Sequence, residues 1–239
     1  MNSLSTSKGY AEHHVLDWAD GDVPVSQKFD DPFFSKSDGR AETRHVFLDG
    51  NGLPDAWSKF DVFQIGELGF GTGLNFLETL SLWRRTRTLG QKLHFNSVEA
   101  FPLQSGEIKR ALGNWNDLSA DVQSLLQVWK NAREETVWID EQTSLRVFEM
   151  DVVQALAQFP QNINAWFFDG FSPAKNPAMW TEQVMQLVAD HTLVDGTFSS
   201  YSSAGWVRRN IEAAGFSVER VAGFGRKRHM IIGRLAKTS

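Results

Sequence analysis

The glycine-rich segment Gly66 to Phe76 (GELGFGTGLNF) constrains the fold of this chain more than any other feature. The preceding residues Phe60 to Ile65 predict a strand, and Leu74 to Leu80, which follow, predict a helix. A glycine loop between a strand and a helix brings backbone N–H groups and the amino end of the helix close to a ligand. The segment therefore predicts an α/β unit that binds a nucleotide.

Strand and helix patterns alternate along the rest of the chain. Further strands are predicted at Leu93–Glu99, at Thr136–Met150 around a turn, and at Ala165–Phe168, Gly196–Tyr201, Phe216–Val221 and His229–Gly233. Helices are predicted at Leu103–Lys130 with a break near Asn114–Asn116, and at Asp151–Phe159, Asn176–Leu193 and Ala204–Ala213. This alternation predicts an α/β fold with a mostly parallel, twisted sheet.

The first part of the chain has a different pattern. The stretches PVSQKFDDPFFS and GRAETRHVFLDGNGL favour extended structure, and Asp38-Gly39 and Asp49 to Gly52 are turn signals. We expect an N-terminal extension with short β-hairpins at residues 1–58 and a Rossmann-like domain at residues 59–239. The sequence gives no role for residues 1–20.

Composition excludes several classes of site. The 239 residues contain no cysteine, which excludes disulfides and thiolate metal sites. The six histidines show no ligand spacing beyond the pair His13-His14, so no metal centre is expected. No apolar run is long enough to cross a bilayer, and the N-terminus lacks an apolar signal core. A cytoplasmic protein without a membrane partner is the expectation.

Four acidic residues fall at the carboxyl ends of predicted strands: Glu67, Glu99, Asp151 and Asp169. Ligands of open α/β sheets bind outside these strand ends. One such acid often only caps the following helix. Four in succession, with Glu67 inside the glycine loop, favour a ligand site.

The form of the loop indicates which nucleotide binds. It is E-x-G-x-G-x-G, and it lacks both the G-x-G-x-x-G of dinucleotide sites and the lysine of a P-loop. Glu67 would repel a phosphate, whereas S-adenosylmethionine carries an ammonium and no phosphate. We expect Glu99 to accept hydrogen bonds from the ribose and Asp151 from the adenine amino group. The predicted residues for this cofactor are Glu67, Gly69, Phe70, Gly71, Gly73, Asn75, Glu99 and Asp151.

This cofactor predicts a Rossmann-like S-adenosylmethionine-dependent methyltransferase fold with an antiparallel last strand. The segment Trp166 to Trp180 (WFFDGFSPAKNPAMW) then carries the acceptor chemistry. A rigid turn accounts for Pro177 but not for the carboxylate of Asp169 beside aromatic residues. A carboxylate can orient the N–H of an amine and relieve the charge that grows on nitrogen, so Asp169 is the predicted catalytic residue. Phe171 and Trp180 either stack on a base or belong to the core.

Several idiosyncratic stretches carry a resemblance to a known family. They are FDDPFFS, GRAETRHVFLDGN, GELGFGTGLNFL, VEAFPL, WFFDGFSPAKNPAMWT, TFSSYSSAGWVRRNIEAAGF and GFGRKRHM, and they cover most of Phe29 to Ile232 in order. They resemble the tRNA (5-methylaminomethyl-2-thiouridine)-forming methyltransferases: the methyltransferase half of bifunctional MnmC and its stand-alone relatives.

The resemblance implies methyl transfer from S-adenosylmethionine to the exocyclic amine of 5-aminomethyl-2-thiouridine at the tRNA wobble position. It implies two partners: tRNA, and a fused or separate FAD-dependent oxidase that prepares the amine. The net charge of −5 argues against a tRNA partner, but basic residues concentrate in the segments expected at the cleft rim. The residues expected to contact substrate are Phe29, Asp31, Arg44, Phe171, Lys175, Asn176, Arg226, Lys227 and Arg228.

Two other functions remain open from the residues alone. A methyltransferase acting on a small amine would share every cofactor residue, and the basic residues would then be a solvated face. A nucleic-acid-binding module that has kept the scaffold without catalysis would be favoured by loss of the loop glycines or of Asp169. All of these residues are intact in this sequence.

Overall fold

The computed structural model describes residues 15–236 of the chain, so residues 1–14 of the predicted extension, including the pair His13-His14, lie outside the described residues. The strands are β1 Leu16–Ala19, β2 Val23–Ser26, β3 Asp31–Pro32, β4 Val62–Leu68, β5 Lys92–Val98, β6 Val137–Asp140, β7 Thr143–Phe148, β8 Ile163–Phe168, β9 Thr192–Ser200, β10 Phe216–Ala222 and β11 His229–Leu235. The α-helices are α1 Gly39–Thr43, α2 Leu74–Thr86, α3 Ser105–Leu112, α4 Ser119–Ala132, α5 Val152–Leu156, α6 Glu182–His191 and α7 Gly205–Ala213.

The large sheet has the strand order β10-β11-β9-β8-β4-β5-β7-β6. The pairs β4–β5, β4–β8, β5–β7 and β8–β9 are parallel, whereas β11 runs antiparallel between β9 and β10. Leu68 at the end of β4 pairs with Val98 of β5 and Phe168 of β8, so these three strands end at one edge. The predicted fold class, a mostly parallel sheet with an antiparallel last strand, is confirmed.

Strand β8 shows why the sheet is buried on both sides. Each of its six residues, INAWFF, is buried. Phe167 contacts Phe47 and Phe95 in one hydrophobic cluster, whereas Trp166 and Phe168 belong to the cluster on the other face. A continuous apolar run is what a parallel strand covered by helices on both faces requires. Burial of both faces holds the end of β8, and therefore Asp169, in a fixed place.

The N-terminal segment fits the prediction only in its first part. Strands β1, β2 and β3 form a small antiparallel sheet, as expected of a β appendage. The extended structure predicted for GRAETRHVFLDGNGL is wrong: α1 is followed by a π-helical turn at Arg44–Leu48 and a 3-10 turn at Asp49–Asn51. The boundary at residue 58 stays a prediction.

Two local interactions explain this helical segment. The Asp38 side chain accepts a hydrogen bond from the Ala41 N–H at 2.9 Å and so caps α1. Val46, Phe47 and Leu48 are consecutive and all buried in the core of the large sheet. A strand would turn the middle one of three successive side chains to the opposite face, whereas a helical turn can bury all three.

The helix predicted at Asn176–Leu193 is divided in the structure. Pro177–Trp180 form a 3-10 turn, Thr181 is extended, and α6 begins at Glu182. The Thr181 side chain accepts a hydrogen bond from the Val184 N–H at 3.3 Å, which starts α6 with an N-cap. The predicted break before α4 is confirmed, with a 3-10 turn at Asn116–Leu118. Among residues 15–236, each helix is too short or too polar to span a bilayer.

Candidate active site

A cavity of about 830 Å³ lies outside the carboxyl ends of β4, β5 and β8. Its walls come from the glycine loop, the loop after β8, the residue after β9, and an N-terminal segment, residues 28–34, which we call the strap. The predicted site residues that line it are Phe29, Asp31, Gly69, Phe70, Gly71, Asn75, Glu99, Asp151, Asp169, Phe171, Asn176 and Lys227. Residues predicted for the cofactor and for the acceptor therefore share one cavity.

The glycine loop adopts a backbone conformation that only glycine accepts without strain. Gly69 has φ +95° and Gly71 has φ +55°, both in the left-handed region. A Cβ atom on Gly69 would lie 3.0 Å from the Gly170 Cα, and one on Gly71 would lie 3.1 Å from the Phe33 ring. The loop thus brings bare backbone to the cavity wall, which fits the close approach of S-adenosylmethionine. Gly73 does not line the cavity; it starts α2.

Glu99 holds the glycine loop to the end of β5. Its two carboxylate oxygens accept hydrogen bonds from the N–H groups of Gly71 and Phe101, each at 2.9 Å. Burial raises the pKa of this carboxyl, and the backbone hydrogen bonds oppose the increase. A carboxylate has about four acceptor positions, so the geometry leaves room for the predicted ribose contact.

Asp151 and Phe70, two more of the predicted cofactor residues, differ in their surroundings. Asp151 is exposed and caps α5 by accepting a hydrogen bond from the Val153 N–H at 2.9 Å. Capping of a helix is the alternative to adenine recognition that the sequence left open for such an acid. Asp151 also lines the cavity, so both roles are compatible with its position. The Phe70 ring is buried and stacks on Trp129 with 4.9 Å between ring centroids. It therefore anchors the loop in the core.

The Asn75 side chain is hydrogen-bonded both to Glu67 and to Asp169, the predicted catalytic residue. Its amide nitrogen donates to Glu67 Oε1 at 3.0 Å and to Asp169 Oδ2 at 2.7 Å. Glu67, fully buried behind the cavity wall, also accepts a hydrogen bond from Ser97 Oγ at 2.6 Å. Burial raises the pKa of Glu67 to about 8, and the nearby Asp169 adds to the effect.

Asp169 lies immediately after β8 and faces the cavity. Its other oxygen accepts a hydrogen bond from the Gly170 N–H at 2.8 Å. Burial raises the pKa of Asp169 to about 7; the two hydrogen bonds and Lys227 oppose this increase, whereas Glu42 adds to it. A carboxyl that titrates near neutral pH suits the exchange of a proton with an amine.

The cavity residues that were not predicted from the sequence include Glu42, Thr43 and Tyr201. The Tyr201 hydroxyl donates to the Gly170 carbonyl at 2.7 Å, and its ring lies 4.0 Å from the Lys227 ammonium. Tyr201 directly follows β9, so a search of strand ends for all polar residues, rather than for acids, would have found it. Glu42 and Thr43 belong to the segment wrongly predicted as extended.

The strap is fixed to the loop after β8 by side chains from both. Asp31 accepts a hydrogen bond from the Ser172 N–H at 2.8 Å, and Lys175 pairs with Asp30 at 3.2 Å and Asp31 at 3.7 Å. The rings of Phe29 and Phe171 stack with centroids 4.6 Å apart. Phe171 therefore packs on the strap, and Trp180 is buried in the core.

Of the basic residues predicted to contact substrate, one lines the cavity and the others lie outside it. Lys227 lines the cavity and pairs with Glu42 at 2.8 Å. Arg44 does not line it, and its guanidinium pairs with the buried Glu78 at 2.6 Å. Lys175, Arg226 and Arg228 also lie outside the lining, and all three are exposed.

Comparisons with known proteins agree with this architecture. The family model described as S-adenosyl-L-methionine-dependent methyltransferase matches residues 116–236, half of the chain. The tRNA 5-methylaminomethyl-2-thiouridine biosynthesis bifunctional protein MnmC of Caulobacter sp. (strain K31) is 44% identical over 90% of this chain and 37% of its own length. The protein of the same name from Methylobacillus flagellatus is 41% identical over 92% of this chain and 34% of its own length.

A solved structure supports the fold independently of these sequences. The crystal structure of MnmC2 from Aquifex aeolicus aligns with a TM-score of 0.76 over 97% of this chain and 73% of that chain, at 24% sequence identity. At this identity the likeness shows the fold alone. The chain spans little more than a third of the length of the curated relatives named above.

Proposed function

The chain belongs to the S-adenosyl-L-methionine-dependent methyltransferase family, with the methyltransferase domain of the MnmC proteins, and from this membership we propose its reaction. It transfers a methyl group to the exocyclic amine of 5-aminomethyl-2-thiouridine at the wobble position of tRNA. The product is 5-methylaminomethyl-2-thiouridine. The names of the relatives contain 5-methylaminomethyl-2-thiouridine, which is the proposed product, and this supports the choice of substrate. The residues of the cavity support an amine as the acceptor.

One observation carries the proposal: Asp169 faces the same cavity as the glycine loop and is hydrogen-bonded to Asn75, the second residue of α2. An acid in this position lies next to the place where the loop would hold the cofactor. A carboxylate is suited to an amine, because it accepts hydrogen bonds from N–H and stabilises positive charge.

S-adenosylmethionine supplies an electrophilic methyl group on a sulfonium centre. The new N–C bond forms as the S–C bond breaks, and the nitrogen becomes positive, so the acceptor must enter as a neutral amine. Asp169 would orient the amine N–H, stabilise the developing positive charge and accept the released proton. Because burial raises its pKa to about 7, Asp169 is a stronger base than an ordinary aspartate.

Partners and location follow from the same reaction. The exposed Arg226 and Arg228, next to the cavity residue Lys227, are suited to the phosphates of a tRNA that enters there. The relatives are named bifunctional, and we propose that an FAD-dependent oxidase, fused or separate, produces the primary amine. A reaction on tRNA is expected in the cytoplasm.

The test uses labelled S-adenosylmethionine and tRNA that carries the unmethylated aminomethyl group. After incubation, the tRNA is digested and the labelled nucleoside is identified. We expect label in 5-methylaminomethyl-2-thiouridine, and none when the tRNA lacks the aminomethyl group. Faster turnover of the free nucleoside or of a small amine than of tRNA would instead favour a small-amine methyltransferase.

A further inference from the structure

The Asn75 side chain lies between two buried or partly buried carboxyl groups. Its amide nitrogen has two protons, one directed to Glu67 at 3.0 Å and the other to Asp169 at 2.7 Å. Asn75 is only 6% exposed, so its side chain is largely removed from solvent. Each acid therefore depends on the same NH₂ group.

The hydroxyl of Thr43 holds the oxygen end of this amide. It donates to Asn75 Oδ1 at 2.7 Å, and Thr43 is itself buried. The two acids favour the orientation in which the NH₂ group faces them, because a reversed amide would direct its oxygen at both and lose both hydrogen bonds. Thr43 therefore holds the amide in the orientation that the acids favour.

The four residues come from four different elements. Glu67 belongs to β4, Asn75 to α2, Asp169 follows β8, and Thr43 ends α1. Asn75 also lies two residues after Gly73, at the end of the glycine loop. A shift of that loop, or of α1, thus changes the hydrogen bond that Asp169 receives.

We propose that Asn75 is a positioning residue that aligns Asp169 for methyl transfer, and that Thr43 fixes the orientation of its amide. The proposal rests on the proposed function, because it assigns Asn75 a task in the transfer step in addition to contact with the cofactor. The hydrogen bond holds the second oxygen of Asp169, while the Gly170 N–H holds the first at 2.8 Å. Because both carboxylate oxygens are held, Asp169 presents its lone pairs to the acceptor in one orientation.

The same hydrogen bond affects the ionisation of Asp169. The titratable groups that face Asp169 are Glu42, Glu67 and Lys227, and the Tyr201 phenol lies nearby. Glu42 disfavours its ionised form, whereas Lys227 and the amide of Asn75 favour it. Loss of the amide donor should therefore raise the pKa of Asp169, so that a higher pH is needed to ionise it.

The direct variant is Asn75→Ala, which removes both donors. If that variant does not fold, Thr43→Val removes only the hydroxyl that holds the amide, at nearly constant volume. Thr43→Ser restores the hydroxyl. Thr79→Val is the matched control: Thr79 is a fully buried threonine on α2 whose hydroxyl donates to the backbone oxygen of Asn75 at 2.7 Å, not to its amide.

Two measurements are made on each folded variant. The first is the titration of Asp169 by NMR on protein with ¹³C-labelled aspartate, assigned by the signal that disappears in Asp169→Asn. The second is the single-turnover rate of methyl transfer at saturating cofactor and tRNA between pH 6 and 9. We expect Thr43→Val to raise the titration midpoint of Asp169 and to lower the rate about tenfold at pH 7, equivalent to about 1.4 kcal/mol. Thr43→Ser should be close to wild type.

The control distinguishes alignment from a general loss of packing. The proposal is overturned if Thr43→Val and Thr79→Val have the same midpoint and the same rate profile. It is also overturned if Thr43→Val changes only the KM for S-adenosylmethionine. A wild-type enzyme that labels no aminomethyl tRNA would refute the proposed function instead, a result already visible before any variant is made.

Discussion

Two parts of the cavity, which we call the cofactor half and the acceptor half after their proposed roles, are built from different kinds of contact. In the cofactor half, Glu99 holds the loop by accepting hydrogen bonds from two backbone N–H groups. In the acceptor half, charged side chains far apart in the chain pair with each other: Lys175 with Asp30, and Lys227 with Glu42. The cofactor half therefore depends on the position of backbone N–H groups. The acceptor half depends on ion pairs between side chains of the strap, α1, the loop after β8 and the turn before β11.

This difference changes how the charge of the chain is interpreted. The sequence alone suggests a basic rim, but Lys175, Lys227 and Arg44 already have carboxylate partners within the protein. Arg226 and Arg228 are exposed, and neither forms an ion pair with another residue of the range 15–236. We expect tRNA to bind by exchanging some internal ion pairs for phosphate contacts, and to find the cofactor half already formed.

The largest effect is expected from Gly71→Val. The substitution places a branched side chain at φ +55°, with its Cβ 3.1 Å from the Phe33 ring and in the cofactor half of the cavity. We expect S-adenosylmethionine binding to be abolished, as measured by calorimetry on the folded variant.

Gly52→Val provides the control, because Gly52 has φ +67° and no neighbour within 4 Å of an added Cβ. It carries similar backbone strain away from the cavity. Cofactor binding by Gly71→Val that equals binding by Gly52→Val would show that the loop glycine serves only the turn.

The next largest effect concerns Asp169 in the acceptor half. Asp169→Ala should lower the single-turnover rate by about 10²- to 10⁴-fold while leaving tRNA affinity nearly unchanged. Asp169→Asn separates two roles, because an amide can orient an amine N–H but cannot accept its proton. Equal rates for Asn and Asp would mean that orientation is sufficient, and an unchanged rate for Ala would remove Asp169 from the reaction.

The pH dependence of the rate follows from the same residue. As the pH falls below about 7, the Asp169 carboxyl becomes protonated, so it loses its negative charge and can no longer accept a proton from the amine. The acceptor also becomes an ammonium without a lone pair as the pH falls. Both effects lower the rate as the pH falls. In Asp169→Asn only the ionisation of the acceptor remains, so its profile should have a single, less steep rise. Profiles of equal steepness would show that Asp169 does not titrate in the reaction.

A smaller effect is expected from Glu99→Ala. The substitution removes the acceptor for the Gly71 and Phe101 N–H groups together with the predicted ribose contact. We expect cofactor binding to weaken by about 1.5–3 kcal/mol, or about 10- to 100-fold in Kd. Glu149→Gln is the control, because Glu149 lies close enough to raise the pKa of Glu99 but does not line the cavity. Equal Kd values for these two variants would exclude Glu99 from the cofactor site.

The cofactor half was largely predictable from the sequence, because its geometry follows from local order. A strand, a glycine loop and a helix adjacent in sequence must be adjacent in space, and the carboxyl ends of parallel strands share one edge. Glu67, Glu99 and Asp169 could therefore be assigned to one place without a structure. The loop glycines were predicted from their spacing between a strand and a helix, and their positive φ angles explain why glycine occupies these positions.

The acceptor half was less predictable, because it depends on contacts between distant segments. The strap and the loop after β8 are separated by about 140 residues, as in the hydrogen bond from the Ser172 N–H to Asp31 (a separation of 141). Lys227 and Glu42 are separated by 185 residues. No local pattern specifies such a pair. The error in the secondary structure of residues 39–53 also concealed Glu42 and Thr43, because a predicted strand gave no reason to place them at the cavity.

The smallest effect is expected from the rim itself, where Arg226→Glu with Arg228→Glu tests the two exposed arginines apart from Lys227. If each arginine contacts one phosphate, the double variant should reduce the slope of log affinity for tRNA against log salt by about 1.4 to 1.8. Cofactor affinity should not change, because neither arginine lines the cavity. The control is Lys59→Glu with Arg85→Glu, which changes the charge by the same amount. Both control residues are exposed; Lys59 precedes β4 and Arg85 lies near the end of α2, at the opposite edge of the sheet.

Lys227→Glu should act differently from both pairs. It breaks the ion pair with Glu42 and removes a cation that favours the ionised form of Asp169. It should therefore lower the rate of methyl transfer as well as the affinity for tRNA. If the double arginine variant and its control show equal slopes of log tRNA affinity against log salt, Arg226 and Arg228 are a solvated face, and other residues must bind the tRNA.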